Sequence, residues 1–471
     1  MKTYKVRIWK LYKNRAGNPE VRWATDGRRH SRSFANVPLA ESFRSELISA
    51  QRGGEAFEVD SGLPVSMTRK RKAAVTWFDH AVEYAAMKWP DSAPNSRRNR
   101  ADALATITPA LTRKVAGAPA AQLLRDALYG WAFSPSPRRS EPSPEVERAL
   151  RWARKASVTV EDLVEDPDLV RAALRAISQR QDGTPAAATT FRRKRMVFNN
   201  ALRYACERKL TLANPLSLVQ WKSPEVADEV DRRVVVNPKQ FRQLLQAVRV
   251  QNGGRRTPHD GKPRGEHLVA FFGCLYYAAL RPAEAVDLRV SSCTLPDEGW
   301  GSLQLGSSNP RAGERFTDTG DARQRRQLKW RARGAVRTVP IPPKLVRLLR
   351  EHVDEFGTAE DGRLFRAVRG GVLPEKEYGD IWRKARKKAL TAAQVASPLA
   401  ARPYDLRHAG VSLWLRSGVD PTEVARRAGH SVDVLLRIYA SVLDDTEKEA
   451  NRRIEDALTE DDDGDENSKD R

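Results

Sequence analysis

The chain has 471 residues, 40% of them hydrophobic and 30% charged, which is enough apolar material for about two to four domains of ordinary size under a very polar surface. Lysine and arginine outnumber aspartate and glutamate by 83 to 60, a formal charge of +23; the last 17 residues hold nine acids and two bases, so the rest of the chain stands near +30 and suits a polyanion such as a phosphate backbone. Cys206, Cys274 and Cys293 are too scattered for a metal site and suggest a reducing, cytoplasmic setting; Cys206 and Cys274 fall in apolar helical patterns and read as small core residues. The opening MKTYKVRIWKLYKN lacks the apolar core of a signal peptide, and no run of about 18 apolar residues is present to span a membrane.

Residues 1–60 read as a small basic sheet plus helix. Tyr4, Val6, Ile8 and Leu11 alternate, Val21–Trp23 begins a second strand, and Asp26-Gly27 marks a hairpin turn before a third strand ending at Phe34. Leu39, Phe43 and Leu47 then fit an amphipathic helix over 38–50. Lys5, Arg7, Lys10 and Arg28 are candidate DNA contacts here, because a sheet can enter a DNA groove.

A linker closes on the basic run Arg69-Lys70-Arg71-Lys72. Residues 73–222 read as helical, with a first helix around Trp77 to Ala85 and others near 97–112, 118–132, 145–156, 167–180 and 187–209. Arg192, Arg193, Lys194 and Arg195 open the last of these. Four consecutive cations cannot share one helix face, so one or two are expected at phosphate, with Arg192, Arg193 and Arg195 the candidates, and the others solvated.

Residues 233–450 form the third unit. Its Gly-rich insertion 253–265 reads as a mobile loop, and the acidic tail 457–471 is too poor in apolar residues to fold. In Leu275 to Leu288 a helix leads to Arg281; Pro282 suits the first turn of the next helix, and Glu284 is placed to brace Arg281. Leu303–Leu305, Gln327–Trp330 and Val336–Val339 suggest three strands, with Lys329 on a hairpin arm. In Arg402-Pro403-Tyr404-Asp405-Leu406-Arg407-His408, Asp405 can cap a helix starting at Leu406, leaving Tyr404 and Arg407 to face a phosphate at that terminus. Gly429 ends a further helix, His430 sits on the turn, and Tyr439 falls late in the helix that follows. His30, His80, His259, His267 and His352 show no grouping.

The order Arg281, Lys329, Tyr404-Asp405-Leu406-Arg407-His408, Gly429-His430 and Tyr439 resembles the tyrosine recombinase or phage integrase family, down to a Tyr nine residues after the His of Gly429-His430. Each box alone is common; five in order at these spacings are specific. The resemblance covers the third unit, extends loosely to the second as a core-binding domain, and likens the first to the arm-binding domain of lambda-type integrases. It implies a multidomain, mainly α protein: a small N-terminal sheet plus helix, a helical core-binding domain, and a mixed α+β catalytic domain.

The resemblance also implies a site-specific recombinase acting through a 3′-phosphotyrosine at Tyr439, with no cofactor and no metal. Arg281 and Arg407 would clamp the phosphate, His430 would add a donor, and Lys329 would protonate the leaving 5′ oxygen. Lys344 is a competitor, but it follows Pro342-Pro343 and should begin a helix. The family's usual His is Tyr404 here; a phenol of pKa about 10 is a poor proton shuttle, so Tyr404 is expected to bind phosphate or act as scaffold. His408 is assigned to support. Implied partners are double-stranded DNA at core and arm sites, a homotetramer reached through dimers, a DNA-bending protein and an excisionase. A type IB topoisomerase-like enzyme and an inactive DNA-binding relative are the alternatives.

Overall fold

The computed structural model describes all residues except 1, 15–16, 68–74, 137–140, 223, 225–229, 254–257, 259, 328–335, 445–450, 453, 457 and 459–471. The protein is multidomain and mainly α, in two compact units, the first gathering Met1–Pro135 and Ser140–Pro224 and the second built on Glu225–Arg471.

The first unit opens with a short pair, β1 (Lys2–Thr3) against β6 (Phe57–Glu58), and an antiparallel sheet centred on β4 (Pro19–Thr25). One edge of β4 pairs with β2 (Val6–Ile8) and then β3 (Tyr12–Lys13), and the other with β5 (Arg28–Ser33). Ile8 faces Trp23 and Tyr12 faces Glu20, a register slip of one residue. The expected first strand is thus a single strand broken at a bulge. Asp26 and Gly27, both at positive φ, make the expected tight turn. Alternation puts Val21 and Trp23 under α1 (Val37–Arg52), where Phe43 and Leu47 complete the core.

That register also sorts the basic residues. Arg7 and Arg29 both oppose Ala24 and share the open face. Arg28 instead opposes Thr25, on the core side, and pairs with Asp60 at 2.8 Å. Lys5 and Lys10 are exposed.

Six longer helices follow: α2 (Trp77–Met87), α3 (Pro94–Ile107), α4 (Ala121–Ala127), α5 (Pro144–Ala156), and, after the short α6 (Asp162–Glu165), α7 (Pro167–Ser178) and α8 (Ala188–Glu207). Trp77 meets Phe198 edge-on at 5.4 Å and donates its indole N–H to Thr108. The cation run on α8 departs from expectation. Lys194 is 8% exposed and turns inward to Asp102 (3.2 Å) and Thr106, and Arg193 bonds Asn99. Lys194 is therefore neither solvated nor free for phosphate; a half-buried carboxylate on α3 claims it. Arg192 is exposed and Arg195 half-buried. Cys206 is only partly buried, beside Thr211, while Cys274 is fully buried as expected.

The second unit is built around α10 (Val269–Tyr277), buried along almost its whole length. It is flanked by α9 (Pro238–Arg249), α12 (Pro343–Phe356) and α15 (Asp405–Arg416). Gly410 lets α15 cross closely, since a Cβ there would lie 2.1 Å from the Tyr276 carbonyl oxygen. Beside this helical core lie α11 (Pro282–Asp287) and a sheet ordered β11 (Arg337–Ile341), β8 (Gly301–Leu305), β7 (Cys293–Thr294). β11 runs through Pro340, which its edge position permits. The expected strand around Lys329 is only in part described: β10 (Arg326–Gln327) pairs with β9 (Ser307–Ser308), and Lys329 itself lies outside the described residues. Lys344 does sit in the first turn of α12.

Further helices of this unit are α13 (Glu375–Ala389), α14 (Ala392–Ala396), α16 (Pro421–Ala428) and α17 (Val432–Asp444). The 253–265 insertion ends in a fixed anchor. Arg264, 3% exposed, bonds Glu377 and the Arg366 carbonyl, and Gly265 abuts the Val248 carbonyl. His267 and His352, expected to be isolated, both pack on Phe356.

Candidate active site

The site begins with a buried carboxylate. Glu284 is on the first turn of α11 with its side chain 1% exposed. Its Oε1 accepts from the Arg281 guanidinium and its Oε2 from the Arg281 backbone N–H, both at 2.8 Å, the brace expected from the sequence. The same Oε2 accepts from Arg337 at 2.7 Å and lies 4.0 Å from Arg407. Burial would raise the Glu284 pKa, but Arg337, Arg281 and Arg407 pull it down to about 2. Three guanidinium groups around one carboxylate leave two positive charges without a partner of opposite sign within this cluster.

The other arms of these arginines converge on one helix end. Arg337 donates to the Arg427 carbonyl (3.1 Å), Arg407 to that of Ala428, and Arg281 to that of Gly429 (3.0 Å). These are successive carbonyls at the C-terminus of α16, where the helix dipole favours cations. Gly429 caps the helix at φ +67, and a Cβ there would meet Arg337 Nη1 at 2.6 Å. Arg407 also donates to the carbonyl of Ala279, itself held at φ +47 between α10 and α11. In this state protein carbonyls therefore accept from each of the three guanidinium groups, and Arg407 is only 1% exposed.

The turn after Gly429 carries His430, whose Nε2 bonds Arg407 at 2.9 Å and whose Nδ1 is buried without a hydrogen-bond partner among the described residues. Burial, reinforced by Arg407, Arg281 and Arg337, lowers its pKa to about 3, so the imidazole is neutral. Tyr439 lies on α17 at a kink (φ −115°, ψ 17°). Its ring is fully buried and stacks with His430 at 6.3 Å between centroids. Its hydroxyl bonds His408 Nδ1 at 2.9 Å. Burial raises the phenol's pKa well above its ordinary value, with Arg407 opposing.

Tyr404 is half-buried, makes an edge contact with His408 (5.3 Å) and lies near enough to Arg281 for its oxygen to hydrogen-bond that guanidinium. Asp405 does not cap as expected: it is the first residue of α15, and its carboxylate reaches back to the Arg402 backbone N–H and guanidinium. The connector joining the units also touches the site. Val230 donates to the Ile438 carbonyl and Ala400 to that of Val234, both at 2.9 Å.

Arg281, Glu284, Tyr404, Arg407, His408, His430 and Tyr439 thus lie together, drawn from three separate stretches of chain. Arg337 was not anticipated. Its alternation on β11 pointed inward, but a lone arginine inside a strand pattern gives no sign of the carboxylate it will meet. Among the described residues, no three His, Cys, Asp or Glu side chains converge as metal ligands would.

Residues 235–446 match the family model described as the phage integrase family. That stretch carries every residue of the site just described, and the match supports a tyrosine recombinase or integrase. No curated protein matches it. Similar solved structures include the Tn1549 transposon integrase in complex with transposon right end DNA, at 16% identity over 70% of this chain and 98% of that one, with a TM-score of 0.47. A lambda integrase tetramer bound to a Holliday junction is 13% identical over 89% and 95%, with a TM-score of 0.45. The XerH site-specific recombinase bound to difH substrate is 12% identical over 74% and 93%, with a TM-score of 0.40. Among the described residues, no helix is long and apolar enough to cross a membrane.

Proposed function

We propose that this chain is a site-specific DNA recombinase that breaks and rejoins strands through a 3′-phosphotyrosine at Tyr439. The observation that carries the reading is the pair of uncompensated positive charges buried beside that phenol, in the cluster of Arg281, Arg337, Arg407 and Glu284. A phosphodiester gathers negative charge as it becomes pentavalent, and donors fixed in advance in a dry site stabilise that charge most effectively. Arg281 and Arg407 each offer two parallel N–H donors to phosphate oxygens. These guanidinium groups supply the charge stabilisation, so the reaction needs no metal. The scissile phosphate would take the place of the carbonyls of Ala279, Ala428 and Gly429 as their acceptor.

Tyr439 attacks phosphorus, the bond to the 5′ oxygen breaks, and Lys329 protonates that oxygen. The phosphotyrosyl bond keeps the energy of the broken one, so a 5′ hydroxyl from another strand can reverse the step. Two such exchanges recombine two duplexes. The partners that fit are double-stranded DNA and further copies of the chain in a tetramer built from dimers. The helical residues 73–222 would hold the core site and the basic sheet of residues 1–60 the arm site. A DNA-bending protein and an excisionase would then set the direction, integration or excision.

A duplex nicked close to the cleavage point tests the reading, because loss of the short downstream fragment that bears the freed 5′ hydroxyl traps the covalent product. Wild type should form an adduct and Tyr439→Phe none. Absence of adduct with the folded, DNA-bound wild type would leave a DNA-binding protein without catalysis.

A further inference from the structure

We propose that His408 is the proton acceptor for Tyr439, taking up in this chain a duty that Tyr404 cannot perform. The inference rests on the reading above and deepens it. Tyr439 is fully buried, so its proton must go to a neighbouring group and not to bulk water. The group in hydrogen-bonding contact with the phenol oxygen is His408 Nδ1, at 2.9 Å. With the imidazole proton on Nε2, Nδ1 presents a lone pair to the hydroxyl.

The other groups around the phenol are poorly suited. Arg281 and Arg407 are cations and accept nothing. His430 lies ring-to-ring at 6.3 Å and its Nε2 is engaged by Arg407. Tyr404 is itself a phenol. His408 is faced by Tyr404, Asp405, Arg402 and Arg407 of its own segment, by His430 on the neighbouring turn and by Tyr439 on α17. Burial lowers its pKa to about 4, with Asp405 opposing and Arg407 and Arg402 adding, so it is unprotonated and available at neutral pH.

A base this weak does not strip a free phenol beforehand. Transfer occurs in the transition state, where bonding to phosphorus makes the hydroxyl strongly acidic and the incoming phosphate's charge offsets the arginines. The Oη–P bond forms, the Oη proton passes to Nδ1, and the P–O5′ bond breaks with its electron pair left on O5′, which is protonated by Lys329. In the reverse step the imidazolium returns its proton to Oη.

The test is single-turnover cleavage of the nicked duplex between pH 6 and 9 by wild type, His408→Asn, His408→Gln and Lys329→Ala, with DNA affinity and melting temperature measured alongside. Each substrate is also made with sulfur in place of the bridging 5′ oxygen, a leaving group that needs no proton. Either folded His408 variant should bind DNA as wild type does and cleave about 10²–10⁴-fold more slowly. Its rate should climb with pH as the phenol ionises unaided, while the wild-type rate stays level. Sulfur should restore Lys329→Ala but neither His408 variant, a pattern that general loosening of the site would not give. Wild-type rate and pH profile in either folded variant, or full rescue by sulfur, overturns the assignment of the base while leaving the recombinase reading intact. An inert wild type removes that reading and this one with it.

Discussion

Arg337 and Glu284 form an ion pair of 2.7 Å with both side chains 1% exposed. Each is held by more than the pair, since Glu284 also braces Arg281 and Arg337 also caps α16. Removing Glu284 would leave three guanidinium groups facing one another in a dry interior, at a cost of about 3–5 kcal/mol. Glu284→Gln should therefore destabilise the second unit by about that amount in urea unfolding. Arg337→Met should cost less, because Arg281 and Arg407 still neutralise Glu284, and adding it to Glu284→Gln should recover part of the loss by removing one unbalanced cation. A loss from Arg337→Met equal to that from Glu284→Gln would mean that unbalanced charge is not the cause.

Stability should fall on acidification. His352, His408 and His430 have pKa values lowered from 6.5 to about 4, 4 and 3, chiefly by burial. Between 6.5 and those values the unfolded chain binds protons that the native state refuses. Stability is thus fully present above about pH 6.5 and declines below it, with a slope approaching about 1.4 kcal/mol per pH unit for each histidine. Glu284, lowered from 4.5 to about 2, adds a second decline below pH 4.5. Urea midpoints of the free protein at pH 7.5, 6.5 and 5.5 should drop a little across the first interval and about three times as much across the last; a level profile would contradict the neutral, buried state of these rings.

Arg281→Ala and Arg407→Ala should each slow covalent cleavage about 10²–10³-fold. Lysine should restore little, because an ammonium lacks the flat two-pronged donor. Cleavage should continue at full rate in excess chelator. Stopped cleavage that a divalent cation restores would show that guanidinium groups do not carry the charge alone.

Arg7 and Arg29 share the open face of the N-terminal sheet. If that face meets phosphate, Arg7→Ala and Arg29→Ala should each make the slope of log K for DNA against log salt shallower by about 1, leaving the melting temperature unchanged. Arg28→Ala, whose side chain is tied to Asp60, should change the slope little. An Arg28 effect equal to the other two would contradict the face assignment.

Much of this was legible from periodicity and punctuation. The 3.6-residue spacing in 77–207 marked the helices, Asp26-Gly27 marked the turn, and the spacing of Arg281, Arg407, His430 and Tyr439 marked one site. What was missed depends on partners distant in sequence. Lys194 looked like its basic neighbours until Asp102, on another helix, claimed it. Arg337 looked like a strand residue until Glu284 met it. His408 gave no local sign of the Tyr439 hydroxyl that its ring nitrogen meets. Pairings of this kind need the tertiary fold, because local pattern fixes a side chain's face but not what waits on it.

The most direct measurement is the mass of the peptide that becomes joined to DNA. Trapped adduct, digested with trypsin and nuclease, should yield the peptide Ile438–Lys448 carrying nucleotide phosphate, with fragmentation placing it on Tyr439. A phosphorylated fragment assigned to any other residue, or DNA cleaved with no protein attached, would contradict the account.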